Sequence, residues 1–251
     1  MEYIASLSYG KDSLAMLEAI KILGLPLDRI VTAEVWATET VPAEFPEMVE
    51  FKKKADRIIK ERYGIEVEHF RSKNTYDSSF HKTTKSGKNI GRIYGFPTVK
   101  GAWCLRDLKL DILLKIDSPD TVKYLGIAAD EPKRIVRDYG NARLPLVEIG
   151  WDEAYCRKWC EENDLLSPIY TEGTRGGCWF CHNQPMDQLR LLRKNYPELW
   201  KMMLLWDSES LIPFRSDGHT IHDLDKRFGL EEKGLVPSDR KFRWKMMGDY
   251  K

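Results

Sequence analysis

The chain has 251 residues, 42% of them hydrophobic, and 40 basic against 39 acidic side chains. A chain of this length and composition can bury a full core, and we expect one large domain or one domain with an appendage. The net charge of +1 gives no support for a protein that coats nucleic acid. No apolar run approaches the roughly 20 residues that cross a bilayer, and Lys11 and Asp12 interrupt the N-terminal run, so we expect a cytoplasmic protein with no membrane partner.

Strand-like and helix-like segments alternate along the chain. The pattern predicts strands at 2–7, 30–36, 65–70 and 121–127. It predicts helices at 13–23, 43–63, 103–116, 152–163, 186–194 and 197–206, a short helix at 222–228, and a long polar loop at about 71–100. This alternation predicts an α/β fold, a Rossmann-like parallel sheet with helices on both faces. We expect an α/β domain over 1–168, followed over 169–251 by a cysteine-containing loop and a small helical region.

The stretch IASLSYGKDSLAML, residues 4–17, places a polar turn between the first strand and the first helix. In a parallel sheet, ligands collect beyond the carboxyl ends of the strands, where the next helix starts. The first N–H groups of a helix have no backbone partner and attract anions, and Lys11 would add a full positive charge. A serine-capped turn without a ligand would explain the same residues. The upstream glycine of the Walker A motif is missing, which argues against a standard P-loop ATPase.

The segment LSYGKDSLAML resembles the PP-loop, S-G-G-x-D-S, of the ATP pyrophosphatase and adenine nucleotide alpha-hydrolase superfamily, with a tyrosine at the position of the first paired glycine. The resemblance implies an ATP site in which Lys11 and Asp12 are catalytic. Lys11 would stabilise charge that develops on pyrophosphate, and Asp12 would hold Mg²⁺ or order the turn. The residues that it implies for nucleotide binding in this turn are Ser6, Ser8, Tyr9, Gly10, Lys11, Asp12 and Ser13.

A second segment, YLGIAADEPKR at 124–134, resembles the G-x-R-x-D/E-E-x-x-R block of the reductase and sulfurylase relatives. The resemblance implies that Asp130, Glu131 and Arg134 belong to the nucleotide site, while Ala128 stands where relatives often have a basic residue. With W-C-x-R-x-x-K and R-G-G-C-W-F-C, the resemblance extends to about residue 205. The chain looks most like the small bacterial and phage proteins of the phosphoadenosine phosphosulfate reductase family.

Five cysteines are too few and too unevenly spread for a disulfide scaffold, so metal binding or thiol chemistry is the working interpretation. Cys178 and Cys181 form a C-x-x-C pair whose spacing lets both sulfurs reach one metal, although a redox dithiol or a buried pair has the same spacing. The adenylyl sulfate reductases bind a [4Fe–4S] cluster through a Cys-Cys pair and a distant C-x-x-C. That resemblance implies a cluster on Cys104, Cys178 and Cys181 and leaves one ligand missing. Cys160, whose helix leads into the C-x-x-C loop, or His182 is the candidate for it, and three ligands are the alternative, as in thiolation enzymes whose cluster keeps an open iron. Zinc is the alternative metal.

Arg106 and Lys109 follow Cys104 at helical spacing, so we expect all three on one side of a helix. There, the two cations would counter the charge of a cluster or hold a substrate phosphate. A solvated helix face would explain them equally well.

The resemblance implies an enzyme that adenylates an acceptor and releases pyrophosphate, in sulfur transfer or sulfur metabolism. The expected partners are an adenine nucleotide, an acceptor that is a small molecule or a nucleic acid, and a sulfur-donor protein; a homo-oligomer is compatible with the sequence. Reduction of phosphoadenosine phosphosulfate or adenylyl sulfate is the alternative, but these reductases use a C-terminal cysteine and no cysteine follows Cys181. A non-catalytic nucleotide-sensing regulator or partner subunit would keep the same binding turn.

Overall fold

The computed structural model describes residues 1–87, 90–97, 102–110, 112, 116, 118–172 and 177–238. Within these residues, five strands form one sheet in which every neighbouring pair is parallel. In chain order they are β1 (Glu2–Ser6), β2 (Arg29–Glu34), β3 (Val67–Arg71), β4 (Thr121–Tyr124) and β5 (Ala142–Arg143). Their order across the sheet is β3-β2-β1-β4-β5. The predicted α/β, Rossmann-like fold is confirmed.

Helices follow most of the strands. Those of the first half are α1 (Lys11–Ile22), α2 (Pro46–Tyr63), α3 (Tyr76–Phe80) and α4 (Trp103–Leu105), the last continuing as a π-helical turn over Arg106–Leu110. Those of the second half are α5 (Pro132–Ile135), α6 (Pro145–Ile149), α7 (Glu153–Glu162), α8 (Ile169–Glu172), α9 (Met186–Asn195), α10 (Pro197–Glu209) and α11 (Ile221–Glu232). Part of the predicted helix at 103–116, namely residues 111 and 113–115, lies outside the described residues.

The two faces of the sheet are covered by different parts of the chain. Side chains alternate between faces along a strand, so Ala5 and Ile30 point to one face and Ile4 and Val31 to the other. The first face packs against α1, α2 and α7 in one buried cluster. On the second face, Ile4 and Val31 line a small cavity together with Ile116, from the segment after α4. Helical segments therefore lie on both faces, as predicted.

A second core is built largely of aromatic side chains. Tyr76 and Trp103, from the segment before β4, pack with Trp179, Phe180 and Trp206 from the region after β5. This core crosses residue 168, the boundary that the sequence predicts between two regions; residues 173–176 and 239–251 of the second region lie outside the described part. None of the described helices combines the length and the apolar character needed to span a membrane.

Candidate functional site

The turn predicted to bind phosphate follows the carboxyl end of the central strand of the sheet. β1 ends at Ser6 and α1 begins at Lys11, and we call residues 7–13 the serine loop. β1 is the central strand, with β2 on one side and β4 on the other. From β1 to β3 successive strands are added on one side of β1, and from β4 to β5 they are added on the other side. Open parallel sheets bind ligands at the point where the order of strands reverses in this way. The fold therefore places the serine loop where a ligand is expected.

Hydroxyl groups hold the serine loop together. The Ser13 hydroxyl oxygen accepts hydrogen bonds from the Ser8 N–H at 3.2 Å and the Ser8 hydroxyl at 3.0 Å, and it donates to the Gly10 carbonyl at 3.0 Å. The Lys11 N–H donates to the hydroxyl of Tyr170 at 3.2 Å. Among the described residues, the backbone N–H groups of Tyr9, Gly10, Asp12 and Ser13 have no hydrogen-bond acceptor. Because these N–H groups surround the positive end of α1, they form an anion-binding arrangement.

The side chain of Lys11 is held between two carboxylates. Its Nζ lies 2.7 Å from Asp12 and 3.0 Å from Glu153, at the start of α7, and the residue is buried. Burial alone would lower the pKa of Lys11, but these two hydrogen bonds outweigh it and raise the pKa. Burial raises the pKa of Asp12, despite the contact with Lys11. Lys11 and Asp12 are thus together, as predicted, but each is occupied by the other.

Asp130, Glu131 and Arg134, the predicted residues after β4, form hydrogen bonds near the Lys11–Glu153 pair or with one another. Asp130 accepts a hydrogen bond from the Glu153 N–H at 3.0 Å, and so it positions the partner of Lys11. Glu131 accepts from the Ala128 N–H at 3.1 Å and binds Arg134 through both carboxylate oxygens. Neither Asp130, Glu131 nor Arg134 lines the cavity beside the serine loop.

Gly126, just after β4, allows the backbone of the serine loop to approach. A Cβ atom at this position would lie 2.7 Å from the Ser13 Cα, 2.8 Å from the Ser13 nitrogen and 2.9 Å from the Asp12 carbonyl carbon. All three are backbone atoms, so no side-chain rotation could relieve the contacts. The glycine of the YLGIAADEPKR segment therefore sets how closely the β4 exit packs against the first turn of α1.

A cavity of about 380 Å³ opens beside the serine loop, which is within the range of about 300–1,000 Å³ typical of small-molecule sites. Its walls are formed by Ser6, Leu7, Ser8, Gly10, Thr32, Ala33, Glu44, Met48, Lys52, Lys109, Ile169, Tyr170 and Gly177. Two lysines contribute, and Lys11 does not. We call this space the nucleotide cavity, after the ligand that the sequence predicts for it.

Lys52 is the functional candidate that the sequence did not reveal. It is 6% exposed and its Nζ forms an ion pair with Glu44 at 2.5 Å. A signal was present: Lys52 occupies the buried stripe of α2 between Met48 and Ala55, where the helical spacing calls for an apolar residue.

Three of the predicted metal ligands line a second cavity, of about 390 Å³, which we call the thiol cavity. Cys104, Cys178 and Cys181 contribute to its wall, as does His182. Burial raises the pKa of Cys104, and it raises that of Cys178 to about 12. Within the described part of the chain, no group of three histidine, cysteine or acidic side chains has a geometry that could hold a metal ion.

The thiol cavity contains an unexplained polar group and adjoins the nucleotide cavity. The Tyr76 hydroxyl is buried without a hydrogen-bond partner among the described residues, on a ring that lines the same space. Lys109 and Gly177 line both cavities, so the two spaces are neighbours.

The structure corrects the prediction that Cys160 is the fourth ligand. Cys160 is fully buried in the core beside α1, and its Sγ donates a weak hydrogen bond to the Lys11 carbonyl at 3.3 Å. The helix that carries it packs against α1 rather than against the thiol cavity, because Cys160 lies on the apolar stripe of α7 with Cys156 and Trp159. His182, the other candidate, does line the thiol cavity.

Arg106 and Lys109 are separated, although the sequence places them together. Lys109 lines the thiol cavity with Cys104, whereas the Arg106 side chain is 65% exposed and binds Asp107 at 2.7 Å. Residues two apart on a helix point to different sides, so Arg106 lies away from Cys104. The π-helical turn over Arg106–Leu110, whose hydrogen bonds join residues five apart, brings Lys109 to the side of Cys104.

The chain is similar to an uncharacterized protein of Methanocaldococcus jannaschii, with 23% identity over 257 aligned positions. The alignment covers 96% of this chain and 45% of the archaeal protein, so the chain spans less than half the length of that relative. No family model matches the chain, and no solved structure matches it.

Proposed function

We propose that the chain binds ATP with its phosphates on the serine loop and adenylates an acceptor, releasing pyrophosphate, in a sulfur-transfer reaction. The observation that carries the proposal is the set of four N–H groups at the start of α1 that have no acceptor among the described residues; one of them belongs to Gly10, which lines a cavity large enough for a small-molecule ligand. The sequence resemblance to PP-loop enzymes supplies the identity of the nucleotide. Met48 and Ile169 give the cavity an apolar wall suited to a base.

Two lysines give the nucleotide cavity its positive charge. Lys52 and Lys109 belong to its wall, and because Glu44 of the same wall pairs with Lys52, these three groups together carry one net positive charge. The ammonium of Lys11 is compensated by two carboxylates and does not line the cavity. Preorganised N–H groups and ammonium groups stabilise charge as it develops on phosphate oxygens, and they act most strongly where water is excluded. We therefore assign the electrostatic work to Lys52, Lys109 and the loop amides, and give Lys11 the task of ordering the start of α1.

The proposed reaction has two steps. An acceptor oxygen attacks the α-phosphorus of ATP, a phosphorus–oxygen bond forms, and the bond to the bridging oxygen breaks as pyrophosphate leaves. A sulfur nucleophile at the hydrosulfide level, delivered by a donor, then forms a bond to the activated acceptor carbon and displaces AMP. The loop's contribution is positional and electrostatic, as in other phosphoryl chemistry.

The residues do not fit a magnesium ion held by Asp12. Its carboxylate accepts a hydrogen bond from the Lys11 ammonium at 2.7 Å, so an ion there would have to replace that contact. We derive no step through such an ion and assign Asp12 to ordering the loop.

The donor types of the thiol cavity suit a thiolate-bound group, but in the described structure the three thiols are not arranged as a metal site, so they would have to move together to hold one. Cys104, Cys178 and Cys181 would hold it, and the buried hydroxyl of Tyr76 would gain a hydrogen-bond acceptor. An iron–sulfur cluster would supply electrons or sulfide there. Because the thiols stand next to the nucleotide cavity, a sulfur donor would reach the activated acceptor from this side.

The test compares two neighbouring lysines of α2. Lys52→Met removes a cation from the cavity wall, and we expect ATP to bind at least tenfold more weakly in equilibrium titrations. Lys53→Met is the control, because Lys53 is 67% exposed and pairs with Glu50 at the surface; the affinity of this variant for ATP should stay within twofold of that of the unaltered protein. Equal affinities for the two variants, or no ATP binding by the unaltered protein, would refute the proposal.

A second variant, with the opposite expected effect on ATP affinity, keeps the test valid if Lys52→Met does not fold. Glu44→Gln removes a negative charge from the same wall, so repulsion of the phosphates decreases and ATP should bind more tightly. Pyrophosphate release should follow affinity in both variants when candidate acceptors are supplied.

A further inference from the structure

We infer that Tyr9 is a positioning residue that ties the serine loop to Asp56 of α2 and, through it, to His69 of β3. The inference rests on the proposed function only for the identity of the ligand that the loop holds. The coupling itself concerns the loop's conformation and can be tested without a nucleotide.

The backbone of Tyr9 needs such a tie. Its φ angle is +57°, in the left-handed region that side chains larger than glycine rarely adopt. Tyr9 occupies the position where PP-loop relatives have a glycine, so the sequence supplies a bulky residue where glycine would be unstrained. A conformation of this kind persists only when surrounding contacts hold it.

Those contacts come from a chain of hydrogen bonds that leads away from the loop. The ring of Tyr9 is fully buried, and its hydroxyl donates to Asp56 at 2.5 Å. The His69 Nε2 lies 3.1 Å from the other oxygen of Asp56 and 3.3 Å from the Tyr9 hydroxyl. The His69 Nδ1 lies 2.8 Å from Glu34 of β2. α2 and β3 thus contact Tyr9 directly, through Asp56 and His69, and β2 is connected to it through Glu34 and His69.

The charges around His69 favour its protonated form. Hydrogen bonds that the His69 ring donates to Asp56 and then to Glu34 raise the pKa of His69 to about 9. The other charged groups near the network are Lys52, whose ammonium lies 4.9 Å from the centre of the Tyr9 ring, and Glu44, which pairs with Lys52. At neutral pH, one imidazolium therefore lies between two carboxylates, and Asp56 remains an acceptor for the Tyr9 hydroxyl.

Loss of the proton from His69 would leave Asp56 and Glu34 without their shared cation. Neutral His69 keeps one N–H, so one of the two carboxylates would lose its hydrogen bond from the ring, and the geometry of the tie between Asp56 and Tyr9 would change. Since Tyr9 is bonded directly to Gly10, whose N–H is one of the loop's unpaired donors, the change would be transmitted to the loop backbone. The serine loop should therefore report the protonation state of a histidine on β3.

The experiment follows two carbon-bound signals by NMR in protein labelled with ¹³C at glycine and histidine, between pH 7 and 10. In the unaltered protein, the Gly10 Cα–Hα signal should shift with the same midpoint as the His69 Cε1–Hε1 signal, near pH 9. In Tyr9→Phe, the His69 signal should still titrate, while the Gly10 signal should lose most of its shift. Tyr63→Phe is the matched control, because the hydroxyl of the half-buried Tyr63 donates to the carboxylate of Glu18 and not to the network.

A second readout links the tie to the ligand. Tyr9→Phe should weaken ATP binding at least fivefold, and Tyr63→Phe should leave it unchanged. If Tyr9→Phe fails to fold, His69→Gln, judged by the same Gly10 signal, takes its place and should abolish the titration. If the Gly10 signal of the unaltered protein does not shift with the midpoint of the His69 titration, the inference is overturned. A Gly10 signal that follows His69 in a protein that binds no ATP supports the inference and refutes only the proposed function.

Discussion

Replacing Gly126 with alanine tests whether the serine loop is set by its packing against the exit of β4. The added Cβ would lie 2.7–2.9 Å from three backbone atoms of Asp12 and Ser13. Carbon atoms in favourable contact are about 3.5–4.0 Å apart, so the two segments must separate by roughly 0.8 Å. Because the obstructing atoms are backbone, the first turn of α1 or the β4 exit has to move.

The energetic cost can be bounded. Overpacking a well-filled site by one carbon costs about 1–3 kcal/mol, and the rigid backbone on both sides of Gly126 favours the upper half of that range. We expect the free energy of unfolding to fall by about 2–3 kcal/mol. The loop amides would also move from their positions by a large fraction of an ångström, and hydrogen bonds to phosphate weaken steeply with such a displacement.

The assay pairs urea denaturation with ATP titration, and Gly229→Ala is the control. Gly229 lies inside α11, and its nearest outside neighbour, the Arg193 Nη2, would be 3.7 Å from the new Cβ, an ordinary contact. There, alanine should leave stability unchanged or raise it by up to about 1 kcal/mol, with no effect on ATP. Gly126→Ala that matches Gly229→Ala in stability and affinity would refute the packing argument.

Two further predictions concern the thiol cavity and pH. Anaerobically purified protein should contain iron or zinc, Cys178→Ser should lose most of it, and Cys160→Ala should retain it; equal loss from both variants would return Cys160 to the ligand set. The raised pKa of His69, about 9 against an ordinary value of 6.5, stabilises the fold fully below about pH 6.5, and this contribution is lost as the pH rises through 9. Unfolding free energies at pH 7 and 10 should therefore differ by about 1–2 kcal/mol more in the unaltered protein than in His69→Gln, after allowing for solvent screening of this partly exposed ring; parallel profiles would contradict this assignment.

The order of elements and the location of the serine loop could be predicted from local patterns. Alternating apolar residues at 2–7, the apolar run of α1 and the glycines that end helices are short-range signals, and they lead to a parallel sheet by general rules of packing. The serine loop followed from the same rules, because a turn after a central strand lies at the ligand-binding edge. The C-x-x-C pair could also be predicted from the sequence, since its two cysteines are three positions apart in the chain.

Contacts between distant segments decided the rest. Helical spacing cannot reveal a π-helical turn, which brings Lys109 to the same cavity as Cys104, whereas Arg106, two residues from Cys104, lies outside it. Cys160 and Cys178 are close in sequence, yet they pack into different cores, because α7 turns its apolar face toward α1. The pairing of Lys11 with Glu153 joins residues 142 positions apart. Which charges compensate one another depends on through-space distance, and only the folded chain sets that distance.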